Sequence, residues 1–159
     1  MKFVILSSVF TIVFFIFYHF PKNDDLSEDL HLRFSTIEDV CTFVSIIITY
    51  KKDSEIYGVP DYWQSPEETL NLKTGDCEDY CLLVLKLCQE SNLGRPHLVY
   101  LPALEHGVVY HNGKVYEPQS YRGRVSYFLS DFVIFSYDEA ILLMLNNKLK
   151  YYAYKVSSL

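Results

Sequence analysis

Between Asp76 and Ser91 the chain carries Leu82, Val84, Leu85, Leu87 and three cysteines, Cys77, Cys81 and Cys88, at a spacing that leaves little polar surface. Asp76 is placed to N-cap a helix over this stretch and Gly94 to end it. A helix apolar on most sides must be buried, so the remaining elements have to pack around it. After Gly94 the period changes to short extended runs at residues 98–101, 107–111 and 114–117. The last two flank Asn112-Gly113, a pair suited to a two-residue hairpin turn. Residues 125–129 and 132–135 read as further strands, 137–145 as an apolar helix and 150–156 as a last strand. Upstream, Ser35 or Thr36 N-caps a helix reaching about Tyr50, with Asp39 closing a capping box and Ile37, Val40, Cys41 and Val44 at helical spacing. Residues 51–61 form a connector, and Ser65-Pro66-Glu67-Glu68 opens a short helix to about Asn71. Helices first and mostly antiparallel strands afterwards place the chain in the α+β class.

Composition narrows the function. The 159 residues carry a net charge of −6 with no Lys/Arg cluster, which argues against nucleic acid as a partner. No Walker loop, GxGxxG or HExxH occurs, so nucleotide-binding and zincin chemistry have no residues to stand on. Zinc held by Cys77, Cys81 and Cys88 is excluded by geometry, because their spacing along one helix cannot converge tetrahedrally. The 14 Tyr are spread along the domain and, without a basic groove, read as core and rim.

Residues 3–20 contain no Asp, Glu, Lys or Arg. The run is long for a signal-peptide core and about long enough to span a bilayer, and no A-x-A-like cleavage site follows. The expected organisation is a signal anchor or signal peptide at residues 1–21, a polar linker at 22–34 and one domain at 35–159. The membrane would then hold the chain through its N-terminal helix, with the domain periplasmic or extracellular, or secreted if the segment is cleaved. In such a compartment Cys41 and Cys88 are the first pair to consider for a disulfide.

The chemistry concentrates at Lys73-Thr74-Gly75-Asp76-Cys77-Glu78-Asp79. With Asp76 as N-cap, Cys77 is the first helical residue, where unpaired N–H groups and the helix dipole favour a thiolate and can hold an oxyanion. Asp76, Glu78 and Asp79 act the other way and raise the thiol pKa. An active Cys77 therefore requires a histidine or a bound cation. His106 and His111 both border the hairpin. Strand pairs across Asn112-Gly113 sum to about 225, setting Tyr116 opposite Val109 and Glu117 near Val108, so His106 lies within reach of Glu117 while His111 pairs with Lys114. His106 is the preferred base. His19 and His97 have no evident chemical partner. The three carboxylates also offer hard oxygen ligands at a helix start; the alternative is that they only cap the helix.

Gly75-Asp76-Cys77-Glu78-Asp79, Leu93-Gly94, His106-Gly107-Val108-Val109, Asn112-Gly113-Lys114 and Tyr116-Glu117-Pro118 together resemble the transglutaminase-like superfamily, including its bacterial cysteine peptidases. The approach Asp61-Tyr62-Trp63-Gln64-Ser65-Pro66 also resembles those bacterial members, and the resemblance covers residues 62–119. It implies a papain-like core in which Cys77 is the nucleophile, His106 the base and later acid, and Glu117 the imidazole-orienting acid. Family members usually have Asp at that position, and Gln119 is the alternative orienting group. The oxyanion donor is expected upstream, Gln64 first and Trp63 second, beside the Cys77 N–H. The implied reaction is acyl transfer on peptide or protein amides through a thioester, with hydrolysis favoured over cross-linking. No cofactor is required, although calcium near the nucleophile, as in some bacterial members, would fall on Asp76, Glu78 and Asp79. The competing reading is a catalytically degenerate module that binds a peptide or partner protein at the membrane.

Overall fold

The computed structural model describes residues 34–121, 123–125 and 131–157. The apolar run at 3–20, His19 and most of the strand expected at 125–129 lie outside these. Among the described residues no helix is long and apolar enough to cross a membrane.

Helix α1 (Ile37–Ile47) begins where the sequence places it. Thr36 Oγ1 accepts from Asp39 N at 3.1 Å and Asp39 Oδ2 accepts from Thr36 N at 3.0 Å. It stops short of Tyr50, because Thr49–Tyr50 forms a strand, β1, in parallel register with β2 (Thr74–Gly75). Thr49 N donates to Lys73 O at 2.9 Å and Lys51 N to Gly75 O at 3.0 Å, so the chain beside the Gly75 end of β2 is fixed from a distance of more than twenty residues. A short helix, α2 (Asp53–Ile56), lies within the expected connector. Helix α3 (Pro66–Leu72) has the Ser65–Glu68 capping box and ends at Lys73 in the left-handed region. Helix α4 (Cys77–Glu90) follows β2 directly.

The second half is a five-stranded antiparallel sheet of order β6-β5-β4-β3-β7, with β3 (His97–Leu101), β4 (His106–His111), β5 (Lys114–Tyr116), β6 (Arg124–Val125) and β7 (Val133–Phe135). Val109 pairs with Tyr116 and His111 with Lys114, the register that the Asn112-Gly113 turn dictates. Asn112 (φ 48°) and Gly113 (φ 78°) both take the positive φ of a type I′ turn, whose twist matches the strands it joins.

The strand expected at 150–156 is a correction. The chain instead continues as one helix, α5 (Tyr137–Ser157). The β-branched and aromatic residues there are strand formers in isolation, but tertiary contact overrides that preference. Ala140, Met144 and Lys148 recur every four residues and all bury against the body of the protein.

Helix α4 is the centre of the core. Leu82, Leu83, Val84, Leu85, Leu87 and Cys88 are each at most 1 % exposed, enclosed by Val40, Cys41 and Val44 of α1, Leu98, Val109 and Tyr116 of the sheet, and Ala140 and Met144 of α5. Strand alternation sends Val99, Leu101, Val108 and Val115 to a second, smaller cluster. Cys41 and Cys88, the first pair to consider for a disulfide, are not bonded; all four cysteines are free thiols, with Cys41, Cys81 and Cys88 buried as apolar filler. Truncating Leu83 to Ala should cost about 2–5 kcal/mol in chemical denaturation, as expected for a fully enclosed side chain.

Candidate active site

The nucleophile candidate is placed by the junction of β2 with α4. Asp79, in the first turn of α4, is wholly buried and turns its carboxylate back over that junction. Its Oδ2 accepts from Asp76 N at 3.2 Å and its Oδ1 from Gln64 N at 2.8 Å. This arrangement requires glycine at 75: a Cβ there would lie 2.7 Å from Asp79 Cβ and 2.8 Å from its Oδ2. One carboxylate thus joins the loop bearing Gln64 to the residue that precedes Cys77.

Cys77 is partly buried at the first position of α4. Its Sγ donates to Glu78 Oε2 at 3.1 Å. Burial, then the Glu78 carboxylate, pushes the thiol up, and a hydrogen bond from the Gly107 backbone opposes them. Gly107 packs on the Cys77 backbone, its Cβ position 3.6 Å from Cys77 C and O and from Cys81 Sγ. Strand β4 therefore meets the start of α4 one residue after His106.

His106 Nε2 lies 2.6 Å from Glu117 Oε2. The glutamate reaches the imidazole despite its extra methylene. A carboxylate at Nε2 holds the proton on that nitrogen, which leaves Nδ1 as the basic nitrogen of the neutral ring. Glu117 is itself fixed by a tight turn: its N donates to Gly123 O at 2.5 Å, Ser120 N donates to Glu117 O at 3.0 Å, and Gln119 N approaches Glu117 Oε1 at 3.4 Å. Gly123 (φ +61°) lies against α1, where a Cβ would come within 2.5 Å of Cys41 Cβ. Gln119 thus serves Glu117 through its main chain, and its own Nε2 has no hydrogen-bond partner. His111 lies at the hairpin turn, its Nε2 3.0 Å from Asn112 Nδ2, away from this pair.

The two oxyanion candidates differ. Trp63 Nε1 is committed to Asp61 Oδ1 at 3.2 Å. Gln64 is fully buried, and neither its Nε2 nor its Oε1 has a hydrogen-bond partner. A buried primary amide left unpaired costs about 1–3 kcal/mol, so such a group is a place to look for function.

The carboxylates around Cys77 form a larger group than the sequence suggested. Asp53, Asp76 and Asp79 can each present an oxygen within 4.8 Å of one another, as can Asp53, Asp61 and Glu78. Burial is the first cause of the shifts that push Asp76 up to about 8 and Asp53 and Glu78 up to about 7, and it also raises Asp79 well above the carboxylate range. Neighbouring acids add to each: Glu78 for Asp76, Asp76 for Asp53 and Asp79 for Glu78. Asp53 and Asp61 were missed in the sequence because nothing local marks them; they reach the site through the loop after β1. Tyr50, half exposed on β1, is the other unforeseen neighbour, its phenol pushed up by burial and then by Cys77, Asp76 and Glu78.

Residues 22–101 match the sequence model of the bacterial transglutaminase-like cysteine proteinases, BTLCP. The chain belongs to this family. It is a cysteine peptidase of transglutaminase-like type. The match includes Gln64 and Cys77 and ends before His106 and Glu117, which the hairpin register supplies. No curated protein matches the chain.

The raised carboxyl groups set a pH dependence. In the folded protein Asp53, Asp76 and Glu78 hold their protons to higher pH than in the unfolded chain, so between about pH 4 and pH 8 the folded state binds more protons and stability falls as pH rises. The Tm of the metal-free protein should therefore drop across that window, and Asp53→Asn should make the drop shallower in a thermal melt.

Proposed function

We propose that the protein hydrolyses peptide or protein amide bonds by acyl transfer, with Cys77 as nucleophile, His106 as base and acid, Glu117 as the group that orients the imidazole, and Gln64 with the Cys77 N–H as oxyanion donors. The observation that carries this reading is the 2.6 Å contact of His106 Nε2 with Glu117 Oε2, on a strand whose next residue packs on Cys77. His106 Nδ1 takes the thiol proton as sulfur attacks the carbonyl carbon. The C–S bond forms, the C–N bond breaks, and the imidazolium returns the proton to the departing amine. Water, deprotonated by the same nitrogen, then cleaves the thioester to give the acid and the free thiol. Cys77 Sγ donates to Glu78 Oε2 at 3.1 Å, and that contact must open as the thiol proton passes to His106.

Cys77→Ala and His106→Ala should each abolish cleavage of fluorescein-labelled casein. Glu117→Gln should cost less than either, and Gln64→Ala should lower kcat about a hundredfold with little change in KM, the pattern of a lost oxyanion donor. Labelled amine added to the assay should not be incorporated if water is the acceptor. Equal turnover by wild type and Cys77→Ala would overturn the reading, and alkylation of Cys77 no faster than free cysteine would favour the degenerate binding module.

A hard divalent cation fits the acidic group. Asp53 Oδ1 and Asp76 Oδ1 are buried without hydrogen-bond partners; Asp53 and Asp76 converge with Asp79 within 4.8 Å, and Asp53 converges with Asp61 and Glu78, and these carboxylates would supply the oxygens that calcium takes. Its charge would offset the carboxylates around the thiol. Millimolar calcium should raise the Tm of wild type at pH 8 and leave that of Asp76→Asn nearly unchanged. We also place the domain outside the cytoplasm, held at the membrane by residues 3–20, on the uncharged character of that segment alone.

A further inference from the structure

We infer that Asn147, on the C-terminal helix α5, is a positioning residue for the segment that carries Gln64; the inference rests on the oxyanion role proposed for Gln64. Residues 61–65 form no helix or strand, so their backbone has no ladder of its own to fix it. Four consecutive N–H groups are instead accepted by four side chains from four elements. Tyr62 N donates to Asp53 Oδ2 at 2.6 Å, Trp63 N to Asn147 Oδ1 at 3.0 Å, Gln64 N to Asp79 Oδ1 at 2.8 Å and Ser65 N to Glu68 Oε2 at 2.7 Å. The shape of this segment is therefore set by what surrounds it.

Asn147 differs from the other three acceptors. It is neutral, and it also donates, from Nδ2 to Asp61 Oδ2 at 2.6 Å, while the other oxygen of Asp61 takes the Trp63 indole N–H at 3.2 Å. Asn147 thereby holds Trp63 directly at its backbone and indirectly at its ring, one residue before Gln64. Helix α5 is seated for this by Lys148, which donates to Glu68 Oε2 and lies 5.5 Å from the Tyr62 ring centroid, and by Tyr151, which packs edge-on against Tyr62 at 4.7 Å. This helix lies wholly outside the family match. Without the Asn147 acceptor the Trp63 N–H loses its partner and the Gln64 amide loses its placement, whereas Cys77, His106 and Glu117 keep all their contacts.

The test compares two reactions of the full chain at Cys77, each corrected for Cys77→Ala. Acylation by p-nitrophenyl acetate forms the C–S bond through an oxyanion and expels p-nitrophenolate; alkylation by iodoacetamide displaces iodide and develops no oxyanion. Asn147 is half exposed and alanine is the best helix former, so Asn147→Ala retains the helix. Acylation should fall about tenfold to a hundredfold in Asn147→Ala with alkylation unchanged, since a small misplacement of a positioned group costs rates of that order. Asn147→Asp combined with Asp61→Asn, which keeps the acceptor for Trp63 N and restores a donor between positions 61 and 147, should recover part of the loss. The inference is overturned if both rates fall together, if neither changes, or if the wild-type ratio of acylation to alkylation equals that of free cysteine. The Cys–His reading fails by a different sign, His106→Ala alkylating as fast as wild type.

Discussion

The Asp79 carboxylate is wholly buried, and each of its oxygens accepts one backbone N–H, from Gln64 and from Asp76. Two segments that meet only in the folded protein are joined by this one group: the irregular approach at 61–65 and the entry to α4. Its place depends on Gly75, where any side chain would collide with it, and on the parallel β1–β2 pair that fixes the backbone beside Gly75. The position of Cys77 follows. It begins a helix whose remaining turns are locked in the core, so its backbone has little freedom to drift from β4.

The charges nearest to Cys77, the proposed nucleophile, are acidic. Glu78 accepts a hydrogen bond from the thiol, and burial followed by that carboxylate pushes the Cys77 pKa up. The compensation comes from the sheet, which brings a Gly107 hydrogen bond toward the sulfur and a histidine whose Nε2 is already engaged by Glu117. Burial, with neighbouring acids, raises Asp53, Asp76 and Glu78 toward neutrality.

The proposed site extends past the family match: Cys77 and Gln64 lie within residues 22–101, and the His106–Glu117 pair lies beyond them on the sheet side. Helix α5, read only in part as a helix from its sequence, reaches the approach segment with Asn147 and Lys148. The backbone N–H groups of residues 62–65 are therefore held by side chains from α2, α3, α4 and α5 at once.

Much of this protein was legible in its residues, for local reasons. The capping boxes at Thr36 and Ser65, the helix from Cys77, the Asn112-Gly113 turn and the register that puts Glu117 near His106 all depend on neighbours within about a dozen positions. The pattern from Gly75 to Asp79 pointed to the family for the same reason, and the match over residues 22–101 shows that family. Tertiary structure alone decided the rest. The segment 150–156 has the composition of a strand but continues the helix whose Ala140, Met144 and Lys148 bury along one stripe, with Tyr151 packed on Tyr62 as its next contact. Helix α1 ended early because Thr49 and Tyr50 found partners at Thr74 and Gly75. Asp53, Asp61 and Asn147 joined the site from 16 to 70 residues away from Cys77, a separation at which no local pattern carries information. The sequence determined which groups can do chemistry, since that is a property of side chains and their immediate capping. Which of them meet was decided by how the buried helix is enclosed, since only packing brings distant backbone together.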